Sequence, residues 1–204
     1  MGNTFLKKIQ NHYFKKAKKE KYSARSVYKL EEINNKYQLI KNGFQVLDIG
    51  CAPGSWSQYL LKKIGNGKIV GIDIKKNVQI SDKRFTFIHG NIFHIDEKFL
   101  NSNQNTFDLI TSDAAPNTTG NKFVDSQNSL AIVKKVFQIA QSVLKINGSI
   151  IAKVFQGEDL KAFIDGVRKD FLKIVLFKPK SSRKESYELF IIAIKRNENI
   201  DTKY

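Results

Sequence analysis

Val46-Leu47-Asp48-Ile49-Gly50-Cys51-Ala52-Pro53-Gly54-Ser55-Trp56 is the stretch on which the reading of this 204-residue chain turns. Phe44, Val46, Leu47 and Ile49 form a short apolar run of strand length. Gly50 permits a sharp turn and lets a ligand come close to the backbone. Pro53 and Gly54 end the turn. Ser55 is the expected N-cap of a helix from Trp56 to Ile64, with Trp56, Tyr59, Leu60 and Ile64 at helical spacing. Strand, glycine turn and helix in this order form the unit at which open α/β sheets hold nucleotides.

The details depart from the dinucleotide version, which spaces three glycines as G-x-G-x-x-G around a pyrophosphate. Ala52 stands at the second glycine position, and Asp48 lies just before the turn. A carboxylate there opposes a pyrophosphate and suits a cationic ligand. S-adenosylmethionine fits that description, with a sulfonium, an ammonium and an adenosine. A tight turn with no ligand is the alternative that the motif alone leaves open.

Outward from this turn the chain alternates strand and helix. Lys68 to Asp73 reads as a second buried strand ending in an acid, 23 residues after Gly50. A ribose-binding acid is expected about 20 residues on. Arg84 to Ile88 reads as a third strand, followed by Asn91, whose amide suits either an adenine edge or a turn. Phe107 to Asp113 is a fourth strand, with Asp113 at the carboxyl end, where parallel sheets place ligands. The segments from Asn101 to Thr106 and from Gly120 to Asp125 read as loops, and Ser129 to Leu144 as an amphipathic helix. Ser149 to Phe155 is the next strand, and Lys153 sits inside its apolar run. A lysine in that place needs a partner. Leu160 to Arg168 is a helix, Phe171 to Phe177 a strand and Tyr187 to Ile194 the last strand, with Glu188 an acid in want of a cation. The tail from Lys195 is expected to fray.

Composition narrows the class. Hydrophobic residues make up 41% and charged residues 26%, which suits one globular domain. No apolar run is long enough to span a membrane, and no secretory signal is visible. Cys51 is the single cysteine, so a reducing, intracellular compartment is expected: cytoplasm, or mitochondrion in a eukaryote. Cys51, His12, His89 and His94 show no metal-ligand spacing, and no metal is expected.

The net charge of +16 favours a polyanionic partner, nucleic acid above a membrane. The first 29 residues hold nine bases against Glu20 alone, interleaved with Phe5, Tyr13, Phe14, Tyr22 and Tyr28. Residues 1–22 are therefore expected to contact RNA, with 23–196 as the main domain and 197–204 as a tail. Ser26 is placed to cap a helix from Val27 to Asn35, and Lys29 then falls in its first turn, where a cation opposes the helix dipole. The basic loop from Lys178 to Ser186 is a second expected RNA contact.

These residues suit transfer to a hydroxyl. A methyl group on a sulfonium is already a good electrophile, so the task is to aim or deprotonate a poor nucleophile. A lysine held by carboxylates can act as a base or as an aiming donor.

The pattern as a whole resembles the FtsJ/RrmJ family of ribose 2′-O-methyltransferases. The matching pieces are Arg25-Ser26 with Lys29-Leu30, Asp48-Ile49-Gly50 with Ala52-Pro53-Gly54, Trp56-Ser57-Gln58-Tyr59, Ser112-Asp113 with Ala115-Pro116-Asn117, Lys153-Val154-Phe155-Gln156-Gly157, and Lys178-Pro179 leading to Ser181-Ser182-Arg183 and Glu188. The resemblance implies a Rossmann-like α/β fold, with a seven-stranded, mostly parallel sheet, an antiparallel last strand and helices on both faces. It implies S-adenosylmethionine as donor, and a catalytic set on Lys29, Asp113, Lys153 and Glu188. It further implies a donor site at Gly50, Pro53, Gly54, Trp56, Asp73, Asn91 and Asp113. Asn91 replaces the family's usual aspartate and Ser55 a common glycine. The compact length resembles the enzymes of large-subunit ribosomal RNA uridines, so ribosomal RNA in a large subunit or its precursor is the expected partner, and the protein is expected to be monomeric. A transfer-RNA anticodon-loop enzyme and an inactive RNA-binding protein are the alternatives. Deletion of Met1 to Lys21 is expected to weaken RNA binding, most at low salt, and to spare donor affinity; titrations across a salt series check this.

Overall fold

The computed structural model describes residues 12–183 and 185–198. Its centre is a seven-stranded sheet in the order β3-β2-β1-β4-β5-β7-β6. The strands are β1 (Gln45–Ile49), β2 (Lys68–Asp73), β3 (Phe85–His89), β4 (Phe107–Ser112), β5 (Leu144–Phe155), β6 (Phe171–Phe177) and β7 (Glu188–Arg196). The first five pair in parallel, and β7 runs antiparallel to both β5 and β6. This is the expected sheet, with its antiparallel last strand. The helices are α1 (described over 12–19), α2 (Val27–Tyr37), α3 (Ser55–Lys63), α4 (Glu97–Ser102), α5 (Lys122–Val143) and α6 (Leu160–Val167).

Successive strand residues face opposite sides of the sheet. Leu47, Ile49, Ile110, Ile150 and Ala152 therefore pack under α5 and α6. Val46, Leu109, Ile151, Phe190 and Ile192 pack under α2 and α3 with Leu30, Ile33, Trp56 and Leu60. The two apolar layers hold the sheet from both faces. None of the described helices is long and apolar enough to cross a membrane.

Several boundaries differ from the sequence expectation. Gly54, not Ser55, caps α3: its φ of 113° is a glycine conformation, and Ser55 is already helical. Helix α5 begins at Lys122, where a loop was expected, because the Asn121 side chain accepts from the N–H groups of Phe123 and Val124. Asp96 likewise caps α4 through Phe99 N–H, so part of the expected polar loop is helical. Strand β5 starts at Leu144, and its register against β4 shifts before Ser149, around Asn147 with φ of 62°. Ser26 makes no side-chain cap on α2; its hydroxyl meets that of Ser55 at 3.0 Å.

The tail expected to fray from Lys195 is tied down in its first part. Arg196 is 8% exposed and donates to the carbonyls of Ala140 (3.2 Å), Gln141 (2.8 Å) and Leu144. A cation there satisfies the orphaned carbonyls at the end of α5 and opposes its negative pole. Asn197 N–H donates to Asp170 O at 2.9 Å. Residues 199–204 lie outside the described residues. Replacing Arg196 with Met is expected to lower unfolding free energy by about 2–4 kcal/mol, since buried carbonyls lose charged donors; chemical denaturation at neutral pH measures it.

Candidate active site

Two groups of residues meet at the carboxyl ends of the central strands. The first lines a cavity of about 520 Å³, including Gly50, Ala52, Asp73, Asn91 and Asp113. It lies at the point where strand order reverses, with β2 on one side of β1 and β4 on the other. Gly50 is obligatory here. Its φ is 73°, and a Cβ would stand 2.7 Å from the Ala114 backbone, so any side chain would force β1 and β4 apart. The Asp73 carboxylate is held by the N–H groups of Ala52 and Lys75, both at 2.8 Å. Asn91 accepts from Phe93 N–H at 3.0 Å, so it shapes the turn and also lines the cavity. Ile72, Ile74, Phe93 and Ile132 give apolar walls.

Pro53, Gly54 and Trp56 do not line this cavity. Trp56 is 2% exposed, stacks on Phe190 and donates from its indole N–H to Ser26 O at 2.9 Å. Asp48 does not face the cavity either, contrary to its expected contact with a cationic ligand. It is 1% exposed and accepts from Ser57 Oγ at 2.5 Å and Thr111 Oγ1 at 2.8 Å. Burial pushes its carboxyl up to about 7 against the pull of those two hydroxyls, and the charges of Asp113 and Asp73 add to the rise. The alternation of β1 explains the misplacement: Asp48 shares the α3 face with Val46, while the cavity opens toward α5.

The second group is two ion pairs. Lys153, 8% exposed, lies 2.9 Å from Asp113 Oδ1 and 2.5 Å from the Asp113 carbonyl oxygen. Lys29, from the first turn of α2, lies 2.6 Å from Glu188 Oε1, which also accepts from Ser182 Oγ at 3.0 Å. Strand parity brings them together. Asp113 follows Leu109 and Thr111, Lys153 follows Ile151, and Glu188 precedes Phe190 and Ile192, all on the α2 face. Burial would raise the Asp113 carboxyl, but Lys153, then Lys29, outweigh it and hold it below the usual carboxylate range. Asp113 belongs to both groups, since it also lines the cavity.

Sequence reasoning missed two further acids. Asp125 accepts from Thr119 N–H at 2.7 Å, Gly120 N–H at 3.2 Å and Tyr187 O–H at 3.3 Å, so it fixes the segment after β4 beside the residue preceding Glu188. Glu32 accepts from the N–H groups of Lys180 (2.6 Å) and Ser181 (2.9 Å), pinning the β6–β7 connection onto α2. Neither stands out in sequence: Asp125 falls in a stretch read as loop and its distant partner is the Tyr187 hydroxyl, while the backbone partners of Glu32 lie 148 and 149 positions along the chain. The expected N-terminal RNA segment lies partly outside the described residues. Its described part docks on the domain: Ala17 is buried, Tyr13 packs on Tyr28, and Lys16 lies over the Tyr28 ring.

A reversing parallel sheet with an antiparallel β7, and a nucleoside-sized crevice abutting paired lysines and acids, define an α/β protein of the methyltransferase class. A family model for FtsJ-like methyltransferases matches residues 22–196. The chain is 47% identical over 187 residues to the ribosomal RNA large subunit methyltransferase E of Brachyspira hyodysenteriae, covering 91% of this chain and 95% of that one. It is 42% identical to the protein of the same name from Desulfatibacillum aliphaticivorans, covering 90% and 89%. A crystal structure described as that of a ribosomal RNA methyltransferase from Plasmodium falciparum superposes with a TM-score of 0.74 at 30% identity, covering 86% and 98%. A Listeria monocytogenes structure described as S-adenosylmethionine-dependent shares the fold alone, with a TM-score of 0.58 at 14% identity over 82% and 99%. The chain belongs to the FtsJ-like methyltransferase family.

The Asp48 carboxyl carries a pH signature. Its unfolded form ionises near 3.8, while the folded form keeps its proton up to about 7. The folded state thus binds the extra proton between those values, and this contribution to stability falls as pH rises from about 4 to about 7. At ~1.4 kcal/mol per pH unit the loss is at most roughly 4 kcal/mol. Asp48→Asn is expected to gain stability over the native chain as pH rises through that window and to show no further gain above it. Denaturation curves at pH 5, 6, 7 and 8 test this.

Proposed function

We propose that this protein transfers a methyl group from S-adenosylmethionine to the 2′-hydroxyl of a ribose in RNA, most specifically a uridine of large-subunit ribosomal RNA, acting as a monomer. One observation carries the reading: Asp113 joins the nucleoside-sized cavity to the buried Lys153, with the Lys29–Glu188 pair alongside. The relatives' names support the ribosomal RNA; the ribose 2′-hydroxyl rests on the resemblance to ribose 2′-O-methyltransferases, with which the Lys153–Asp113 pair is compatible.

The residues present fit the donor. The Asp73 carboxylate, fixed by two backbone N–H groups, is oriented to accept from ribose hydroxyls. The Asn91 amide is oriented by its own turn and can meet an adenine edge. Ile72, Phe93 and Ile132 offer apolar surface to a base, and the bare Gly50 lets an adenosyl group approach the backbone. Gly54 caps α3 and Trp56 is buried against Phe190, so neither meets the donor in this reading. When bound, the donor supplies a methyl carbon on a sulfonium.

The chain's own groups act on the acceptor. Lys153 donates to the Asp113 carbonyl oxygen and forms an ion pair with Oδ1 of the same residue. A further N–H can hydrogen-bond the ribose oxygen and aim a lone pair at the methyl carbon. Lys153 is in this reading an orienting donor, and alignment supplies much of the rate. Asp113 cancels its charge, so the lysine does not repel the cationic donor. The methyl–sulfur bond would break as the oxygen–carbon bond forms, its electron pair going to sulfur to leave a neutral thioether, and the hydroxyl proton would pass to solvent. Lys29 and Glu188 hold each other beside the acceptor and keep the rim neutral at that point.

Lys153→Ala is expected to lower methyl transfer by about 10²–10⁴-fold while S-adenosylmethionine affinity stays near the native value. Turnover with a transcript of large-subunit ribosomal RNA, beside calorimetric titration of the donor, measures both. Turnover at the native rate would remove Lys153 from the mechanism, and ribose mapping of the product would show whether the 2′-oxygen carries the methyl group.

A further inference from the structure

The surface of α5 continues past the mouth of the cavity. Asn128 and Ile132 of that helix line the cavity. Val124 lies four residues before Asn128, so it carries the same helical stripe one turn outward. Phe123 stands beside it, 61% exposed, with Val124 at 38%. Among the described residues neither joins the apolar layers of the core, and neither lines the cavity itself. A phenylalanine and a valine side by side leave apolar area in water that no described part of the fold covers.

The patch is fixed in place beside the acceptor groups. The Asn121 side chain accepts from the N–H groups of Phe123 (3.0 Å) and Val124 (3.2 Å), and Ser126 Oγ donates to the Phe123 carbonyl at 2.8 Å. Asp125, 1% exposed, anchors the same turn by accepting from Thr119 Oγ1 at 2.9 Å and Tyr187 O–H at 3.3 Å. Tyr187 immediately precedes Glu188, which pairs with Lys29. Gln127, one turn after Phe123, donates to Asp159 Oδ2 at 2.7 Å. Asp159 belongs to the segment that follows β5, the strand of Lys153. The patch therefore sits where the donor cavity meets the ends of the strands that carry Lys153 and Glu188.

The donor does not cover this surface. Its adenosyl group belongs with Asp73 and Asn91, on the β2 and β3 side of the cavity, and its amino-acid end is charged. The acceptor supplies a better match. A ribose whose 2′-hydroxyl reaches Lys153 carries its base on the adjacent ring carbon, and an unpaired base has two faces that stack on aromatic rings. The net charge of +16 opposes a second copy of this chain at the same place and favours RNA. Resting on the RNA reading above, we propose that Phe123 and Val124 form a stacking platform for an unpaired base of the acceptor strand, that of the target nucleotide or of its immediate neighbour. With its N–H and carbonyl both engaged, Phe123 is in position before RNA arrives, which lowers the ordering cost of binding. The platform favours a target in a single-stranded loop, since a base stacked inside a duplex presents no free face.

The test uses the full chain, S-adenosylmethionine and a transcript of large-subunit ribosomal RNA, whose methylated nucleotide is located by mass spectrometry of the digested product. Affinity is read by fluorescence anisotropy across a potassium chloride series. Phe123→Ala is expected to weaken binding about tenfold with the salt slope unchanged, because stacking releases no phosphate counterions. Phe123→Leu keeps apolar area without the ring and should fall between the two, while Phe123→Trp should bind at least as tightly as the native chain. An abasic residue is then placed at the methylated nucleotide and at each neighbour in turn. At one of these positions it should cost the native chain about tenfold and cost the Phe123→Ala chain nothing further. Melting temperature and donor affinity should stay native, since Phe123 is exposed and outside the cavity. Native RNA affinity in Phe123→Ala would overturn the platform, as would a loss that flattens the salt slope or losses independent of the abasic residue at every position. An effect confined to self-association, read by sedimentation, would assign the patch to a second copy and overturn it as well. If the methyl group were found on a base, the ribose reaction would fail, and the abasic series would still decide the platform. If the native chain bound the transcript and methylated no nucleotide, the reaction would fail and the platform with it.

Discussion

A lysine ammonium buried at the centre of a sheet is tolerable only if an anion meets it, and Lys153 has Asp113 at 2.9 Å. This pairing constrains much else. Asp113 must end β4 on the α2 face, and β5 must lie next to β4 in the register that pairs Ser112 with Ala152. The antiparallel β7 then sets Glu188 opposite Phe155, within reach of Lys29 on α2. Four ionisable groups from four elements meet because the sheet order makes their strands neighbours and because side chains alternate between its faces.

The opposite face of the same strands makes the cavity. Gly50 and Ala114 approach so closely that no side chain fits between them, which leaves a crevice above the ends of β1 and β4. Asp48 stabilises this corner from below. Its carboxyl links Ser57 of α3 to Thr111 of β4 across β1, and burial leaves it ready to hold a proton near neutrality. A carboxylate that looked like a ligand contact in the sequence is a tie between helix and sheet, because strand alternation turns it away from the crevice.

The edges of the site are fixed by contacts between distant segments. Asp125 joins the segment after β4 to Tyr187, and Glu32 joins the β6–β7 connection to α2. Arg196 closes α5 from the far end of the chain. Each uses a side chain on backbone or hydroxyl groups, which leaves no pattern in composition or periodicity.

The sequence by itself determined the strand and helix alternation, the glycine turn, and the need of Lys153 and Glu188 for opposite charges, since apolar periodicity and the cost of burying a charge act over a few neighbouring residues. The helix starts at Lys122 and Glu97 were legible only in hindsight, through Asn121 and Asp96 as caps. Only the tertiary structure decided which lysine pairs with which acid, that Asp48 faces α3 and Trp56 lies outside the cavity, and that the segment bearing Arg183 is bound to α2. Those outcomes depend on strand order and on contacts between residues up to 149 positions apart, as Glu32 and Ser181 are, and no local preference encodes such a separation.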